Sequence, residues 1–385
     1  MERGTFQLMK SVNRTLVLNK IRENAPISRA QIAKETKLTP PTVSSIVKEL
    51  IDQDLVQEST LGESKGGRKP TLLLVNKNGY YIVGVDAGPT TVACVLSNLA
   101  GEVCERIVLP IAPHQTNVSF LSLVKDGISQ VLQQVEDQEK VLGIGVAMHG
   151  VVDVTTGISV FAPVLQLKNI PLQEELERTF DIEVRMENDA RAMALGEAWF
   201  GEYGEKTSML ALNIGSGVGA GVLIDGKLYE GAFGLAGEVG HMSIALDGER
   251  CECGNLGCLQ AYASAPAIVR RANEQMPEKA VTTSEEVYQL AEENQVESVQ
   301  LLEETGVKIG IGLANLVHVI NPALIIIGGG VAKAEKYIHA PMAEALAERG
   351  LTEAAKSTPI AFSEIGDDAT ILGAVALVLQ EVFGS

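Results

Sequence analysis

The most constraining stretch of this chain is residues 237–258, which read GEVGHMSIALDGERCECGNLGC. A Gly-His pair is followed after nine residues by the spacing CxCGxxGC, so that His241, Cys251, Cys253 and Cys258 offer one imidazole and three thiolates. This soft donor set completes a tetrahedral zinc site and leaves no position open for a catalytic water. The spacing therefore predicts a structural Zn²⁺, and reduced thiols without a metal are the alternative.

Charge divides the 385 residues into two parts with different chemistry. Residues 1–75 hold 12 Lys and Arg against 8 Asp and Glu, a net +4, whereas the remainder holds 19 against 41, a net −22. A basic head on an acidic body is typical of a nucleic-acid-binding appendage. Because no apolar run reaches the roughly 20 residues of a membrane span and the first segment lacks the apolar core of a signal peptide, we expect a cytoplasmic protein with no membrane partner.

The basic head carries the pattern of a helix-turn-helix. Helices are predicted at residues 10–23, 28–36 and 40–51, where Ser28 with Gln31 matches a capping box and Thr39 can cap the third helix. Two short helices joined by a tight turn, after a longer first helix, are typical of this motif.

The third helix has one apolar and one polar face. Residues 43, 46, 47 and 50 are all apolar and follow the i, i+3, i+4, i+7 spacing of a buried stripe. The outward side chains are Thr42, Ser44, Ser45 and Lys48. Such small polar side chains can enter a major groove and reach base edges or phosphates, so we predict DNA contacts here; an ordinary three-helix bundle is the alternative.

A basic loop after the third helix suggests a wing. Strands are predicted at residues 55–58 and 71–75, and SKGGRKP joins them at residues 64–70. Arg68 or Lys69 at its tip could enter a minor groove, where A·T content and groove width are read. A solvated charged loop is the alternative reading, but helices, turn and wing together favour a DNA-binding domain over residues 1–75.

From about residue 80 the pattern becomes α/β, with the strand YIVGVDAG, a hairpin and a later glycine-rich turn. The segments LGIGVAMHGVVD, MENDARAMALGEAWFG, MLALNIGSGVGAGVLIDGKLYEG, GLAGEVGHM and CECGNLGC then follow in one order. In this combination the chain resembles the ROK family of repressors and sugar kinases, and with its N-terminal part it looks like the xylose-repressor branch. The resemblance implies a two-lobed fold of the sugar kinase, actin and Hsp70 type.

The resemblance also implies a sugar site. The matching positions are Asn188, Asp189, Glu238, His241 and Gln260. In family kinases the matching aspartate is the base that deprotonates the sugar hydroxyl, whereas in a repressor it would accept a hydrogen bond from an effector. The alternative for Asn188 and Asp189 is that one of them only caps the following helix.

Several positions depart from the kinases. Pro89 stands in the phosphate loop, where it removes an N–H donor and adds a ring, so productive ATP binding is not expected. His149 replaces the proline of a Pro-Gly turn, and Gln260 replaces a sugar-binding glutamate. A site with different polar groups should reject the relatives' sugars.

We therefore expect a repressor of carbohydrate-utilisation genes, not an enzyme, that binds a pseudo-palindromic operator with A·T-rich flanks as a homodimer and responds to a sugar effector. A sugar kinase with a regulatory head, and a DNA binder that no longer responds to sugar, are the alternatives. The expected domains are the winged helix at residues 1–75, a first lobe at residues 80–200 plus 366–385, and a second, zinc-containing lobe at residues 201–365.

Overall fold

The computed structural model describes residues 12–59, 71–204 and 208–384, and the chain divides into two compact units. The first comprises Met1–Val146, Pro171–Met186 and Ala374–Ser385, and the second comprises Ala147–Ile170 and Glu187–Gly373. Within the described ranges, no helix combines the length and the apolar character needed to cross a membrane.

The first unit begins with a small domain of three helices and a three-stranded sheet. Its elements are α1 (Val12–Asn24), β1 (Ile27–Ser28), α2 (Arg29–Thr36), α3 (Pro40–Asp52), β2 (Val56–Ser59) and β3 (Leu72–Val75). The antiparallel strand order is β1-β3-β2. The sequence predicted the helices and two of the strands. It missed β1, because a two-residue strand is defined only by its partner across the sheet.

Side-chain caps fix where two of these helices begin. The hydroxyl of Ser28 accepts a hydrogen bond from the Gln31 amide over 3.2 Å, and that of Thr39 accepts one from the Thr42 amide over 3.3 Å. Only the Ser28 half of the predicted capping box is formed, and Gln31 Nε2 donates to Glu35 one turn later. The predicted apolar stripe of α3 is buried, as expected for a helix that packs on its neighbours.

A five-stranded sheet in the order β11-β7-β4-β5-β6 dominates the rest of the first unit. Its strands are β4 (Tyr81–Ala87), β5 (Thr91–Asn98), β6 (Val103–Pro110), β7 (Val141–Met148) and β11 (Val184–Asn188). The associated helices are α4 (Asn117–Leu132) and α5 (Leu172–Phe180). The close approach of α4 to β5 depends on Gly127, since a Cβ there would lie 2.7 Å from the Cys94 sulfur.

The second unit contains two sheets. The three-stranded sheet joins β8 (Val151–Asp153), β9 (Ile158–Ala162) and β10 (Leu167–Ile170) in sequence order. The five-stranded sheet, ordered β14-β13-β12-β15-β16, is built from β12 (Ser208–Ile214), β13 (Val218–Ile224), β14 (Lys227–Leu228), β15 (Leu324–Gly328) and β16 (Ile360–Phe362). β15 pairs in parallel with both β12 and β16, whereas β13 is antiparallel to β12.

Helices of the second unit share apolar cores with this larger sheet. They are α6 (Asp189–Phe200), α7 (Gln260–Ala263), α8 (Ala265–Gln275), α9 (Ser284–Glu292), α10 (Val296–Ile320), α11 (Glu335–Arg349) and α12 (Glu353–Lys356). Short 3-10 turns lie at Gln138–Lys140, Val239–His241, Gly330–Ala334 and Gly366–Asp368. The last helix, α13 (Ala369–Phe383), begins in the second unit and ends in the first.

The compact units group residues 147–170 and 187–200 with the larger sheet, whereas the sequence suggested a first lobe of residues 80–200. The physical reason is the packing of α6. Its Ala194 methyl lies against Gly221 of β13, where an added Cβ would approach to 2.2 Å, so the helix belongs with the sheet that it covers. Sequence alone does not reveal this long-range contact.

Candidate functional site

The N-terminus of α6 organises a cluster of polar side chains in the second unit. The side-chain oxygen of Asn188 caps the helix by accepting from the amides of Ala190 and Arg191 over 3.0 and 3.2 Å. The same side chain donates from Nδ2 to the carbonyl of Gly150 over 2.9 Å and to Asp189 over 2.8 Å. Asn188 therefore caps α6 and holds the Asp189 side chain in place. The sequence left open whether Asn188 or Asp189 is the cap.

Asp189 is half-buried and has one oxygen held in place. Its Oδ1 accepts from Asn188 Nδ2 over 2.8 Å and from the Ala190 amide over 2.9 Å, at the positive end of the α6 dipole. Its Oδ2 faces Nδ1 of His149 across 3.8 Å. The carboxylate thus has a fixed rotamer with Oδ2 directed away from the cap, an arrangement suited to accepting a ligand hydroxyl.

His149, one of the positions that depart from the kinases, approaches this carboxylate, although no binding role was predicted for it from the sequence. It lies immediately after β7 and is only 7% exposed. The one signal in the sequence is the His-Gly pair where a Pro-Gly turn would be ordinary. No local pattern indicates that this histidine approaches Asp189, because 40 residues separate the two positions along the chain.

The loop before the predicted metal ligands is held by a buried arginine. Arg191 Nη1 donates to the Gly234 carbonyl over 2.5 Å, while its Nε donates to Glu187 over 2.7 Å. Gly237 has a φ of +98° and accepts a hydrogen bond from the Ala220 amide over 2.8 Å, where a Cβ on Gly237 would collide with the Ala220 carbonyl. These contacts fix the backbone from which Glu238 projects.

The residue Glu238 is exposed as a whole, but protein atoms around its carboxylate partly remove that group from water. This partial desolvation raises its pKa, and the charge of Asp189 acts in the same direction. The structure therefore gathers the two predicted carboxylates close enough to interact electrostatically. Gln260, at the start of α7, is half-buried and contacts the glycine-rich turn at Val218.

The four predicted metal ligands form one cluster. The ligand atoms of His241, Cys251, Cys253 and Cys258 all lie within 4.8 Å of one another. His241 Nδ1 lies 3.7 Å from the Cys251 sulfur, and the sulfurs of Cys253 and Cys258 are also 3.7 Å apart. Ligands about 2.3 Å from a tetrahedral zinc lie roughly 3.8 Å from each other, so the donor set and its spacing fit a metal ion of this type.

Backbone geometry and burial both suit a bound cation at this cluster. Gly257 has a φ of +70°, and a Cβ there would lie 1.6 Å from the Ala245 carbonyl oxygen, so only glycine permits the bend between the thiols. Burial raises the pKa of the Cys258 thiol to about 12. A metal ion would stabilise the thiolate that burial disfavours.

The predicted DNA-facing residues occupy one side of α3. Ser44, Ser45 and Lys48 are exposed, and Thr42 is half-exposed with its hydroxyl 2.8 Å from that of Thr39. The two wing residues, Arg68 and Lys69, lie outside the described residues.

The turn between β4 and β5 is a tight hairpin. The Gly88 amide donates to the Thr91 carbonyl over 3.0 Å, and the following residue, Pro89, has no amide hydrogen. Two consecutive positions of this turn therefore lack a free N–H donor.

The described residues combine a small domain of three helices and a three-stranded sheet with an α/β region that carries a cluster of potential metal ligands. Sequence comparison identifies the family. The ROK family model matches residues 82–381, and a winged helix-turn-helix DNA-binding model matches residues 13–57. The chain belongs to the ROK family, as the sequence resemblance indicated.

Similar proteins include both regulators and kinases. A xylose repressor of Caldicellulosiruptor bescii is 34% identical over 391 residues, 98% of each chain. A crystal structure of a ROK family transcriptional regulator, a homolog of the E. coli MLC protein, has a TM-score of 0.84 and 28% identity, covering 97% of this chain and 96% of that one. A ROK glucokinase from Streptomyces griseus, solved with glucose and AMPPNP, has a TM-score of 0.69 and 26% identity, covering 77% of this chain and 98% of its own.

Proposed function

We propose that this chain is a transcriptional repressor that binds operator DNA through its winged helix and responds to a sugar bound in its second unit. The observation that carries the proposal is the joining of a winged helix to a ROK domain in a chain similar to a repressor over 98% of its length. The glucokinase leaves about a quarter of the chain unmatched. Because the full-length relative is named for xylose, D-xylose is the first candidate effector.

The DNA side of the proposal rests on the exposed face of α3. Thr42, Ser44, Ser45 and Lys48 would meet base edges and phosphates in the major groove, and Arg68 or Lys69 would enter the adjacent minor groove. A homodimer would present two such helices to a pseudo-palindromic operator with A·T-rich flanks.

The sugar side of the proposal rests on the acceptors near α6. Asp189 Oδ2 and the Glu238 carboxylate would accept hydrogen bonds from sugar hydroxyls, with Asn188 holding Asp189 in position. His241 and Gln260 would complete the site. To move a two-state equilibrium from 1:99 to 99:1, the sugar must bind one arrangement about 10⁴-fold more tightly than the other.

We further propose that the cluster of His241, Cys251, Cys253 and Cys258 holds a structural zinc ion. A bound zinc would keep the thiols ionised and cross-link the loop. Since Nδ1 of His241 faces the Cys251 sulfur, Nδ1 would be the ligand atom and Nε2 would be left to donate to a sugar hydroxyl.

A sugar kinase is the competing function, because Asp189 stands where family kinases have their base and a glucokinase shares the fold. The β4–β5 turn argues against it. Phosphate cradles need several free backbone N–H groups, whereas the Gly88 amide is engaged and Pro89 has none. We therefore expect no sugar-dependent ATP turnover; ADP formation that disappears in Asp189→Asn would favour the kinase.

Selection from a pool of random duplexes tests the DNA proposal. The expected product is a motif of two inverted half-sites about 10 base pairs apart or a multiple of that. If properly folded, dimeric protein selects no common motif, the proposed function is wrong.

The selected duplex then tests the α3 face. Lys48→Ala should lower the slope of log K against log salt by about one unit, because one phosphate contact is lost. Lys279→Ala, an exposed change in the second unit, provides a matched loss of charge and should leave the slope unchanged.

A further inference from the structure

His149 combines burial with an incomplete hydrogen-bond inventory. The residue is 7% exposed, and within the described part of the chain its Nε2 is buried without a hydrogen-bond partner. Buried polar atoms in folded proteins are nearly always paired, and an unpaired one reduces stability. If His149 served only to pack this region, an apolar side chain of similar size would make the protein more stable.

The other ring nitrogen lies beside the proposed sugar site. His149 Nδ1 is 3.8 Å from Asp189 Oδ2, which is too long for a direct hydrogen bond. Asn188 Nδ2 connects both partners, because it donates to the carbonyl of Gly150, the next residue after His149, and to Oδ1 of Asp189. Asn188 thus helps to fix the distance between His149 Nδ1 and Asp189 Oδ2.

One hydroxyl oxygen can satisfy both atoms. Hydrogen bonds of about 2.8 Å to each side readily span a 3.8 Å gap. The carboxylate only accepts, so the hydroxyl donates to Asp189 Oδ2 and accepts from a hydrogen on His149 Nδ1. In the neutral ring this tautomer makes Nε2 a hydrogen-bond acceptor, and it has no donor within the described part of the chain.

We propose that His149 is a specificity-determining residue of the effector site, whose Nδ1 hydrogen and Asp189 Oδ2 together bind a single sugar hydroxyl. This inference rests on the proposed function, since it assumes that the ligand is a sugar. The hydroxyl bound at this position is unphosphorylated, because a phosphate group here would meet the negative charges of Asp189 and Glu238. A sugar that lacks the hydroxyl loses two hydrogen bonds at once.

His149→Leu separates a binding role from a packing role. Calorimetry with D-xylose, D-glucose and N-acetylglucosamine first gives the dissociation constant of the wild-type protein for each sugar. In the variant we expect binding about 10- to 100-fold weaker, while the melting temperature without sugar is unchanged or raised because the unpaired nitrogen is gone. An unchanged dissociation constant, with a lowered melting temperature, would overturn the proposal.

Deoxy sugars identify the hydroxyl. One single-deoxy form of the bound sugar should bind the wild-type protein about 100-fold more weakly than the parent sugar, yet bind His149→Leu nearly as well as the parent does. If every deoxy form is penalised equally in wild type and variant, His149 does not contact the sugar. Should His149→Leu not fold, His149→Gln, which keeps one side-chain N–H donor, is expected to retain part of the discrimination. His114→Asn, at an exposed histidine of the first unit whose φ of 61° asparagine tolerates, is the surface control.

The outcomes also separate this inference from the proposed function. If the wild-type protein binds a sugar but operator affinity does not respond, sugar regulation fails while the His149 contact is still measured. If the wild-type protein binds none of the three sugars, the His149 proposal is overturned even when operator binding is intact.

Discussion

The side-chain oxygen of Gln260 accepts a hydrogen bond from the backbone N–H of Val218 over 3.2 Å. An amide N–H can donate only to the oxygen of the glutamine, so this contact determines which way the side-chain amide is oriented. Gln260 therefore connects α7 to the first residue of β13 and directs its Nε2 hydrogens elsewhere. The glutamate that the family resemblance implies at this position would offer an acceptor in place of those donors.

Gln260→Glu is expected to change sugar affinity without unfolding the protein. A carboxylate can still accept from Val218, but it replaces an N–H donor and adds a negative charge to the proposed acidic site. We expect the effector to bind about 10- to 100-fold more weakly by calorimetry, with operator binding in the absence of sugar unchanged. An unchanged dissociation constant would mean that Gln260 does not face the ligand.

Removing one metal ligand should destabilise the second unit. Cys258→Ser replaces a fully buried thiol, and we expect zinc content to fall from about one ion per chain to near zero. The melting temperature should fall by on the order of 10 °C, and sugar binding should be lost with it. Elemental analysis and thermal melts measure both. Cys104→Ser, at an exposed cysteine of the first unit, is the control and should retain full zinc.

The buried pair of Arg191 and Glu187 should be sensitive to the loss of one partner. Burial raises the pKa of Glu187 even though Arg191 opposes that shift, so the carboxylate is poorly solvated. Arg191→Met leaves this charge unpaired and should lower the free energy of unfolding by about 3–5 kcal/mol. Chemical denaturation measures the change.

The double variant Arg191→Met with Glu187→Leu provides the internal comparison. It removes both charges and should be less destabilised than the single variant. Arg178→Ala, which breaks an exposed pair with Glu175, should change stability by at most about 1 kcal/mol. Equal losses for the single and double variants would contradict the explanation by an unpaired charge.

Glu197 gives the second unit a pH-dependent stability. It is fully buried and accepts hydrogen bonds from Ser363 and Tyr203, and desolvation raises its pKa above the ordinary 4.5. The folded state therefore holds this proton more tightly than the unfolded state. Its contribution to stability is greatest below pH 4.5 and declines as the pH rises through the raised pKa.

Glu197→Gln removes this titration. The stability of the wild-type protein relative to the variant should fall as the pH rises from about 4.5 through the raised pKa of Glu197, as measured by urea unfolding at several pH values. Glu202→Gln, at an exposed position nearby, controls for the loss of one charge. A relative stability that rises with pH would show that the hydrogen bonds outweigh burial.

Local patterns made much of this protein readable from its sequence. The apolar stripe of α3, the Thr39 cap and the spacing of the four metal ligands depend on residues close together in the chain, and the structure has the stripe buried, the cap formed and the ligands clustered. The two-part organisation of a winged helix and a ROK domain was predicted from motif order and is confirmed by the family matches.

What the sequence did not reveal depends on contacts between distant residues. The approach of His149 to Asp189 and the bond from Val218 to Gln260 span 40 and 42 residues. The packing of α6 on β13, which groups residues 187–200 with the second sheet, is also a tertiary contact. Neither hydrophobic periodicity nor capping patterns in the sequence indicate such contacts between distant residues.

We expect that a sugar bound in the second unit changes the affinity of the winged helix for DNA. Fluorescence anisotropy with the selected operator duplex at one fixed salt concentration, in the presence and absence of D-xylose and the two other sugars, tests it most directly. We expect specific binding and at least a tenfold change in the operator dissociation constant with one sugar. Asp189→Asn should abolish this change while binding without sugar is retained. Specific binding that no sugar alters would contradict it.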